Sequence, residues 1–426
     1  MKYVIIGGGI AGVEAALEIR RRDRDGMITI LDMENEARGK GCIYRPALKE
    51  FLSGSLSDST LSVYPSGYLQ ERGITFLHAG VSSIDPSSST IHFISIDQPN
   101  TTQAITYDSL LLATGAVPRT PDVFHHDPAP ENQFYFKFLE DAVHIRGWLE
   151  NHTGACCVVG SGVLGLETAE LLTGMGHDVI MLTRSDNRLF RGIPDGLKSK
   201  LNDLFQRKGV RTHRFDEVRE IPFREGRFTR LNLKDGTSIP IDTVILCAGV
   251  DVVRMLPVSA ELDFSRGIHV DEHMRTSDQN IFAAGDCAFL PWAPGQHGPE
   301  TLRLWEPSRR MGKVAGANMA GGDETFDPWP MYYHTLLFDI PLGFFGSFDA
   351  PEEGHERIVR QTDDGYREIV LSKENGRIMG ASFLGGRPFP PPLIRIMKKM
   401  RDGEKLYLDP KLLLEDTFDQ ESLWYL

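Results

Sequence analysis

Short apolar runs alternate with helically spaced apolar positions at the start of the chain. Residues 3–6 form an uninterrupted apolar run, apolar side chains then recur at helical intervals over 15–19, and a second run covers 27–31. Runs of this length predict buried strands, and the spacing between them predicts a helix. The chain therefore opens on a predicted strand, helix and strand.

Three glycines stand where the first strand meets the helix, in the spacing G-x-G-x-x-G. Gly7 is expected to make the tight turn, Gly9 to let the backbone approach a pyrophosphate, and Gly12 to let the helix pack closely on the strand. The helix N-terminus then offers N–H groups and a positive dipole end to phosphates. The second strand ends at Asp32, where a carboxylate that binds ribose belongs, and Glu34 is the second candidate.

The same pattern returns in the middle of the chain. An apolar run over 155–159 leads into Gly160, Gly162 and Gly165 in the same spacing, and a further apolar run follows over 179–182. A repeat of the whole unit is much more specific than one copy. We therefore predict two dinucleotide sites. A second copy with a purely structural role is the alternative.

Three later apolar runs also end in small residues. The runs over 107–112 and 242–246 predict buried strands, and the run over 280–284 delivers Asp286 to its carboxyl end. Ligands of open parallel sheets bind at these strand ends, so this carboxylate is well placed to accept hydrogen bonds from a polyol. A helix is predicted over 306–320.

After residue 322 the pattern changes. Residues 332–346 are rich in aromatic side chains, and the runs over 367–372 and 378–383 predict antiparallel strands joined by an Asn-Gly turn. A basic helix is predicted over 393–400. This part of the chain is expected to form a smaller α+β domain.

Composition narrows the function classes. With 426 residues the chain is too long for one ordinary core, and 41% hydrophobic and 25% charged residues are usual for a soluble globular enzyme. A net charge of −13 argues against nucleic acid as a partner. The chain has neither a membrane-spanning run nor a signal peptide, so we expect a cytoplasmic protein without a membrane partner. The five cysteines follow neither a disulfide nor a metal-ligand spacing.

Four motifs, in this order, resemble the FAD- and NAD(P)H-dependent pyridine nucleotide–disulfide oxidoreductase superfamily. They are the first glycine motif, Ala113-Thr114-Gly115, the second glycine motif, and Ala284-Gly285-Asp286. The resemblance implies an α/β fold with two Rossmann-like domains. FAD would bind to residues 1–116 and 249–324, and NAD(P)H to residues 117–248. An α+β interface domain would cover 325–426. It also implies that Thr114, Gly115, Gly285 and Asp286 contact FAD.

A second set of residues is similar to one subgroup, the rubredoxin, putidaredoxin and ferredoxin reductases, whose layout the nitrite reductase flavin domain shares. The set is Tyr44-Arg45-Pro46-x-Leu48 and Trp305 seven residues before a glycine. Those proteins pass electrons from NAD(P)H through FAD to a small redox protein. The resemblance implies that Arg45 and Trp305 lie at the flavin. It also implies that Lys49 and Glu167 form a charge pair there that stabilises the reduced flavin. Lys49 comes one residue earlier than the family lysine.

The second glycine unit lacks the carboxylate that selects NADH. Thr183 stands at the end of its second strand, and Arg184 and Arg188 follow. Such arginines form charge-assisted hydrogen bonds to the phosphate of NADPH. The pattern favours NADPH, but a solvated basic loop and NADH remain open.

Cys42 leaves a second enzyme class open. Relatives with a single redox cysteine keep it at the N-terminus of the flavin-side helix, where the helix dipole would lower its pKa. The alternatives are therefore a Cys42-dependent NAD(P)H oxidase, peroxidase or disulfide reductase, or a flavin-bound sensor or interaction protein. The electron acceptor stays open, as does the choice between monomer and homodimer.

Overall fold

The computed structural model describes residues 1–34, 42–184, 193–291, 302–329, 332–347, 350, 352–363, 365–386, 392–402, 411, 414 and 415. The chain divides into two compact units. The first comprises Met1–Val117 and Val250–Pro328, and the second comprises Pro118–Gly249 and Trp329–Leu426.

The strands are, in chain order, β1 (Lys2–Ile6), β2 (Met27–Asp32), β3 (Ile74–Asp85), β4 (Thr90–Ser95), β5 (Thr102–Thr106), β6 (Ser109–Leu112), β7 (Val117–Pro118), β8 (Gln133–Tyr135), β9 (Cys156–Val159), β10 (Val179–Thr183), β11 (Arg211–Arg214), β12 (Val218–Glu220), β13 (Phe223–Arg224), β14 (Arg227–Phe228), β15 (Arg230–Leu233), β16 (Ser238–Pro240), β17 (Thr243–Leu246), β18 (Val250–Asp251), β19 (Ile268–His269), β20 (Ile281–Ala283), β21 (Ala288–Phe289), β22 (Tyr332–Leu337), β23 (Ile340–Gly346), β24 (His355–Gln361), β25 (Tyr366–Ser372) and β26 (Ile378–Leu384). The α-helices are α1 (Ile10–Arg22), α2 (Leu48–Leu52), α3 (Leu139–Leu149), α4 (Val163–Gly174), α5 (Asp195–Arg207), α6 (Met255–Ser259), α7 (Trp305–Met319) and α8 (Pro392–Arg401).

The first unit is built on a seven-stranded sheet in the order β20-β6-β1-β2-β3-β4-β5. Neighbours from β20 to β3 are parallel, and β3, β4 and β5 are antiparallel. Helices α1 and α7 pack with their backbones in close contact. A Cβ at Gly312 would overlap the carbonyl oxygen of Ala11, and one at Gly316 would overlap that of Ala15. This close packing fixes the start of both helices relative to the sheet.

The second unit contains a parallel five-stranded sheet in the order β11-β10-β9-β17-β8. An antiparallel sheet of β12, β15 and β16 lies in the same part of the chain. Phe124, Phe228 and Leu231 are buried in a core shared with residues of β9, β10 and β17. The strand and helix order of the first unit therefore recurs here around the second glycine motif.

The last part of the second unit is an antiparallel sheet in the order β22-β23-β26-β25-β24. Helix α8 covers it through Leu393, Ile396 and Met397, which join Ile369 and Phe383 in one core. The hydrophobic positions of α8 all lie on one side, as expected of a surface helix that packs on a sheet.

These sheets confirm the predicted fold class, an α/β protein with two Rossmann-like sheets and an α+β part. The helix predicted over 306–320 occurs one residue earlier as α7, and the hairpin predicted over 367–383 occurs as β25 and β26. Within the described ranges, no helix combines the length and the hydropathy needed to cross a bilayer.

Candidate functional site

The first glycine turn connects β1 to α1. Gly7 has a φ of +113°, and a Cβ there would overlap the carbonyl oxygen of Ala113. A Cβ at Gly12 would overlap the carbonyl oxygen of Gly7, so both positions require glycine. At Gly9, by contrast, no heavy atom lies within 4 Å of an added Cβ. The turn therefore leaves open space at the N-terminus of α1, where the helix has no side-chain cap.

The second glycine turn, between β9 and α4, has the same geometry. Gly160 has a φ of +112°, and a Cβ there would overlap the carbonyl oxygen of Cys247. A Cβ at Gly165 would overlap the carbonyl oxygen of Gly160, whereas one at Gly162 would meet no heavy atom within 4 Å. Both helix N-termini are thus shaped to receive an anion such as a phosphate.

Two carboxylates follow the first turn at the end of β2. Burial raises the pKa of Asp32 to about 6, although the backbone N–H of Gly8 donates a hydrogen bond to it. Glu34 accepts a hydrogen bond of 2.5 Å from Nη2 of Arg45. Its other oxygen is buried and has no donor among the described residues. A buried acceptor of this kind matches a hydroxyl donor such as those of a ribose.

Arg45 belongs to a single 3₁₀ turn, Arg45–Ala47, directly before α2. Burial lowers the pKa of its guanidinium, but the charge and hydrogen bond of Glu34 raise it, and the net pKa lies above the ordinary value. Asp286 and Asp32 raise it further. The structure therefore gathers four of the predicted residues in one electrostatic cluster at the carboxyl edge of the first sheet.

The remaining residues predicted at FAD lie on the same edge. Thr114 and Gly115 follow β6, and Gly285 and Asp286 follow β20, the two strands next to β1 on that side. Ser308, in the first turn of α7, has its hydroxyl 3.5 Å from Oδ1 of Asp286. The carboxyl ends of neighbouring parallel strands meet at one edge, so the topology brings these residues to the open space beside Gly9.

Trp305 is the first residue of α7. Its ring packs edge-on against the ring of Tyr44, with centroids 4.9 Å apart and an interplanar angle of 89°. Tyr44 directly precedes the Arg45 turn and is 43% exposed. The two aromatic residues of the subgroup motif are therefore in contact with each other.

The end of β10 differs from the end of β2. Thr183 is buried, and its hydroxyl lies 3.4 Å from the carbonyl oxygen of Arg184 and 3.5 Å from that of His213. Arg184 is exposed. The predicted Arg188 lies outside the described residues. The second turn is thus followed by a neutral side chain and a cation in place of two acids.

Lys49 and Glu167 lie in different units, on α2 and α4. Oε1 of Glu167 accepts hydrogen bonds from the hydroxyl of Tyr333 at 3.0 Å and from Oγ1 of Thr335 at 2.5 Å. Sequence reasoning missed both donors. The sequence pattern that could have revealed them is the alternation along β22. Tyr333, Thr335 and Leu337 face inward there, and the residues between them are exposed.

Cys42 departs from the expectation of a thiolate at a helix N-terminus. It precedes α2 by six positions and is only 3% exposed. Burial raises the pKa of its thiol to about 12, so the lowered pKa that a redox cysteine would have is absent. The other four cysteines are also free and buried.

Another residue that sequence reasoning missed is Glu14 of α1. Its buried carboxylate accepts a hydrogen bond of 2.9 Å from Tyr64 and forms ion pairs with Arg309 at 2.9 Å and Lys313 at 3.5 Å. These contacts tie α1, α7 and the segment around residue 64 together beside the glycine turn. Nothing in the local sequence marks Glu14, because its partners come from distant parts of the chain.

The model of a known family, described as pyridine nucleotide-disulphide oxidoreductase, matches residues 1–317. The chain belongs to this family. The match covers both glycine turns and the Asp286 motif. The protein is accordingly a FAD-dependent oxidoreductase of NAD(P)H, as the resemblance implied.

Individual relatives in this family have different names. A NADH oxidase from Methanocaldococcus jannaschii is 27% identical over 407 residues, 91% of this chain and 88% of that protein. A rubredoxin-NAD(+) reductase from Pseudomonas putida is 29% identical over 290 residues, 68% of this chain and 72% of that protein. The structure of a covalent putidaredoxin reductase–putidaredoxin complex superposes with a TM-score of 0.84 at 24% identity, covering 100% of this chain and 98% of that one.

Proposed function

We propose that this family member binds FAD in its first unit, uses NADPH bound in its second unit, and passes electrons to a small redox protein. The observation that carries the proposal is the pair of matching glycine turns with unlike strand ends. One turn is followed by Asp32 and Glu34, and the other by Thr183 and Arg184. Two nucleotides of different chemistry are the ligands that such a pair would hold.

The residues of the first unit fit FAD in distinct roles. The N-terminus of α1 would hold the pyrophosphate, and Asp32 or the unpaired oxygen of Glu34 would accept the ribose hydroxyls. Asp286, at the end of β20, would accept hydrogen bonds from the ribityl chain. FAD supplies the chemistry, since it takes an electron pair from a reduced nicotinamide and can release single electrons. Binding and orientation are what the chain itself contributes.

The preference for NADPH rests on the end of β10. Among the described residues, β10 ends without a carboxylate that could accept the 2′-hydroxyl of NADH or repel a 2′-phosphate. Arg184 directly follows Thr183 and is exposed, so its guanidinium can contact a phosphate group on the solvent side of the strand end. We place the adenosine phosphate of NADPH at this residue.

A small redox protein as acceptor is supported by two observations. Relatives named for rubredoxin and putidaredoxin span most of the chain. In addition, Cys42 is buried and burial raises the pKa of its thiol to about 12, which disfavours a thiol-based relay. If flavin is the single redox centre, electrons leave from it to an external acceptor.

Anaerobic titration of the yellow holoprotein with NADPH, and separately with NADH, tests the proposal. We expect complete bleaching at one equivalent, faster with NADPH, and no long-wavelength band from a thiolate–flavin pair. Reoxidation should then be faster with a rubredoxin or ferredoxin than with oxygen. Uptake of two equivalents with such a band, lost on Cys42→Ser, would instead favour a cysteine-dependent oxidase or disulfide reductase.

A further inference from the structure

A second arginine lies at the end of the strand next to β10. Arg214 is the last residue of β11, and the register of this parallel pair sets it opposite Thr183, the last residue of β10. Neighbouring strands lie about 4.8 Å apart, and the hydroxyl of Thr183 lies 3.5 Å from the carbonyl oxygen of His213. The two strand ends therefore form one continuous stretch of the carboxyl edge, and both belong to the same compact unit.

The backbone after Arg214 is fixed by a short turn. A single 3₁₀ turn, Phe215–Glu217, follows β11 directly. The ring of Phe215 packs edge-on against that of the fully buried Phe124, with centroids 6.1 Å apart, and this contact anchors the turn to the core of the unit. Oε2 of Glu217 accepts a hydrogen bond of 3.1 Å from the backbone N–H of Arg214. The position of Arg214 is therefore set by packing as well as by the strand.

The side chain of Arg214 is held through one of its nitrogens. Nε donates a hydrogen bond of 3.1 Å to Oε1 of Glu217, and it lies at the same distance from Oδ1 of Asp216. These contacts use Nε and so do not occupy Nη1 and Nη2, the two ends of the guanidinium. The side chain is 42% exposed. A guanidinium held in this way presents a fork of N–H groups, which is the geometry that binds two oxygens of a phosphate.

Charge decides which ligand these strand ends favour. A phosphate monoester carries a charge of about −1.5 to −2 at pH 7 and has three strong acceptor oxygens, more than one arginine satisfies. Arg184, exposed directly after β10, and Arg214, at the end of β11, together supply enough donors for all three. The carboxylates of Asp216 and Glu217 repel a phosphate at the same place, so they reduce the gain from the second arginine.

We propose that Arg214 is a specificity-determining residue that binds the 2′-phosphate of NADPH together with Arg184, and that Asp216 limits this preference by repelling the same phosphate. The proposal rests on the proposed function, which assigns NADPH to the second unit, and adds a residue from the strand beyond β10. Because this second arginine comes from a different strand, no motif around the glycine turn marks it in the sequence.

Two probes that differ only in the 2′-phosphate, adenosine 2′,5′-bisphosphate and AMP, test the proposal by calorimetric titration of the FAD-loaded protein. We expect the wild type to bind the bisphosphate more tightly than AMP. Arg214→Ala should weaken binding of the bisphosphate by about tenfold, the loss of one charge-assisted hydrogen bond, and leave AMP binding unchanged. Asp216→Asn should strengthen binding of the bisphosphate by about two- to threefold, since it removes one exposed like charge, and also leave AMP binding unchanged.

Arg211→Ala is the matched control. Arg211 is the first residue of the same strand, is 41% exposed, and forms an ion pair of 2.5 Å with Asp178. It lies at the amino end of β11, on the opposite edge of the sheet, so its loss should change the binding of neither probe. Arg214→Lys keeps the charge without the fork and should weaken binding of the bisphosphate by less than Arg214→Ala. This variant supplies the measurement if the alanine variant does not fold.

The outcomes separate this inference from the proposed function. If the wild type binds both probes equally, the preference for NADPH fails, and the inference fails with it. If Arg184→Ala weakens binding of the bisphosphate while both Arg214 variants leave it unchanged, the phosphate lies at β10 alone. The inference is then overturned and the preference for NADPH stands. Equal losses for AMP and the bisphosphate in Arg214→Ala would assign Arg214 a structural role and overturn the inference as well.

Discussion

The turn at Gly7 and the turn at Gly160 have almost the same backbone but lead to different strand ends. Their φ angles are +113° and +112°, and in each the first glycine lies against a carbonyl of a neighbouring strand end. After the first turn, β2 ends in the half-buried Asp32. After the second, β10 ends in the neutral Thr183 beside an exposed arginine. The comparison separates what packing requires from what a ligand selects.

Packing leaves no choice at the glycines. A side chain there would enter main-chain atoms, which cannot move without breaking the sheet. The residue at the end of the second strand lies at the edge of the sheet where the cofactor would bind. Its identity is therefore set by the ligand and not by packing. A family can therefore change its nucleotide by changing one strand end while keeping the turn.

The largest effect is expected when the first glycine of either turn is replaced by alanine. Gly7→Ala and Gly160→Ala each force a methyl group into a carbonyl oxygen at a positive φ, which should cost about 3 kcal/mol or more. We expect the first variant to lose FAD. The second should keep its yellow colour but resist bleaching by NADPH. FAD content after gel filtration and anaerobic titration measure these losses.

Matched controls exist two residues further along the chain. Gly9→Ala and Gly162→Ala add the same methyl group where no heavy atom lies within 4 Å. Their apoproteins should unfold within about 0.5 kcal/mol of the wild type, while cofactor affinity falls because the methyl group occupies the phosphate side. If Gly160→Ala bleaches at wild-type nucleotide concentrations, the two turns are not functional equivalents.

Replacing the acid of the first unit should have opposite effects on binding and stability. Asp32→Asn removes an ionised acceptor, so FAD affinity should fall by about 10- to 100-fold. The folded-state pKa of about 6 lies above the ordinary value of 3.8, so the native state carries the cost of this charge above pH 6. The apoprotein variant should therefore be more stable at pH 8.

The stability gained by Asp32→Asn depends on pH, and the raised pKa of Asp32 determines in which direction. Between pH 6 and 3.8 the native wild type binds the proton more tightly than the unfolded chain, so its penalty shrinks as the pH falls. The stability advantage of Asp32→Asn should thus vanish below about pH 4. Urea unfolding of the apoproteins at pH 8, 6 and 4 checks this. An advantage that is constant with pH would contradict the raised pKa of Asp32.

A smaller effect is expected at the other strand end. Arg184→Ala should weaken NADPH binding by about tenfold, the loss of one charge-assisted hydrogen bond, and leave NADH binding unchanged. Thr183→Asp should shift the ratio of kcat/KM further towards NADH by repelling the phosphate. Steady-state kinetics with both nucleotides measure the ratio. Equal losses for NADPH and NADH would place the phosphate elsewhere.

The local parts of this design could be predicted from the sequence because they depend on spacing. The glycine turns, Asp32 at a strand end and helix α7 all follow from periodic patterns within about 30 residues. Convergence of Thr114 and Asp286 follows from the rule that parallel strands present their carboxyl ends at one edge. The partners of Glu14 and Glu167 could not be found in this way, since they lie at least 50 residues away along the chain.

The burial of single side chains outside helices and strands could not be predicted from the sequence either. Cys42 lies between β2 and α2, where no periodicity tells which side chains face the interior. Its sequence context fits both a reactive thiol and a packed one. In the structure Cys42 is 3% exposed, which favours a packed thiol.

The smallest effect is therefore expected at Cys42. Its thiol is as buried as that of Cys247 at the second turn, and burial raises the pKa of both to about 12. A raised pKa disfavours the thiolate near neutral pH, and the thiolate is the form of cysteine that attacks a disulfide or peroxide. Cys42→Ser should leave the number of NADPH equivalents taken up and the rate of flavin reduction unchanged. Cys247→Ser serves as the matched substitution of an equally buried thiol. If only the Cys42 variant took up a different number of electrons, Cys42 would be a second redox centre in the first unit. The two units would then differ in the chemistry of their buried thiols as well as in their strand ends.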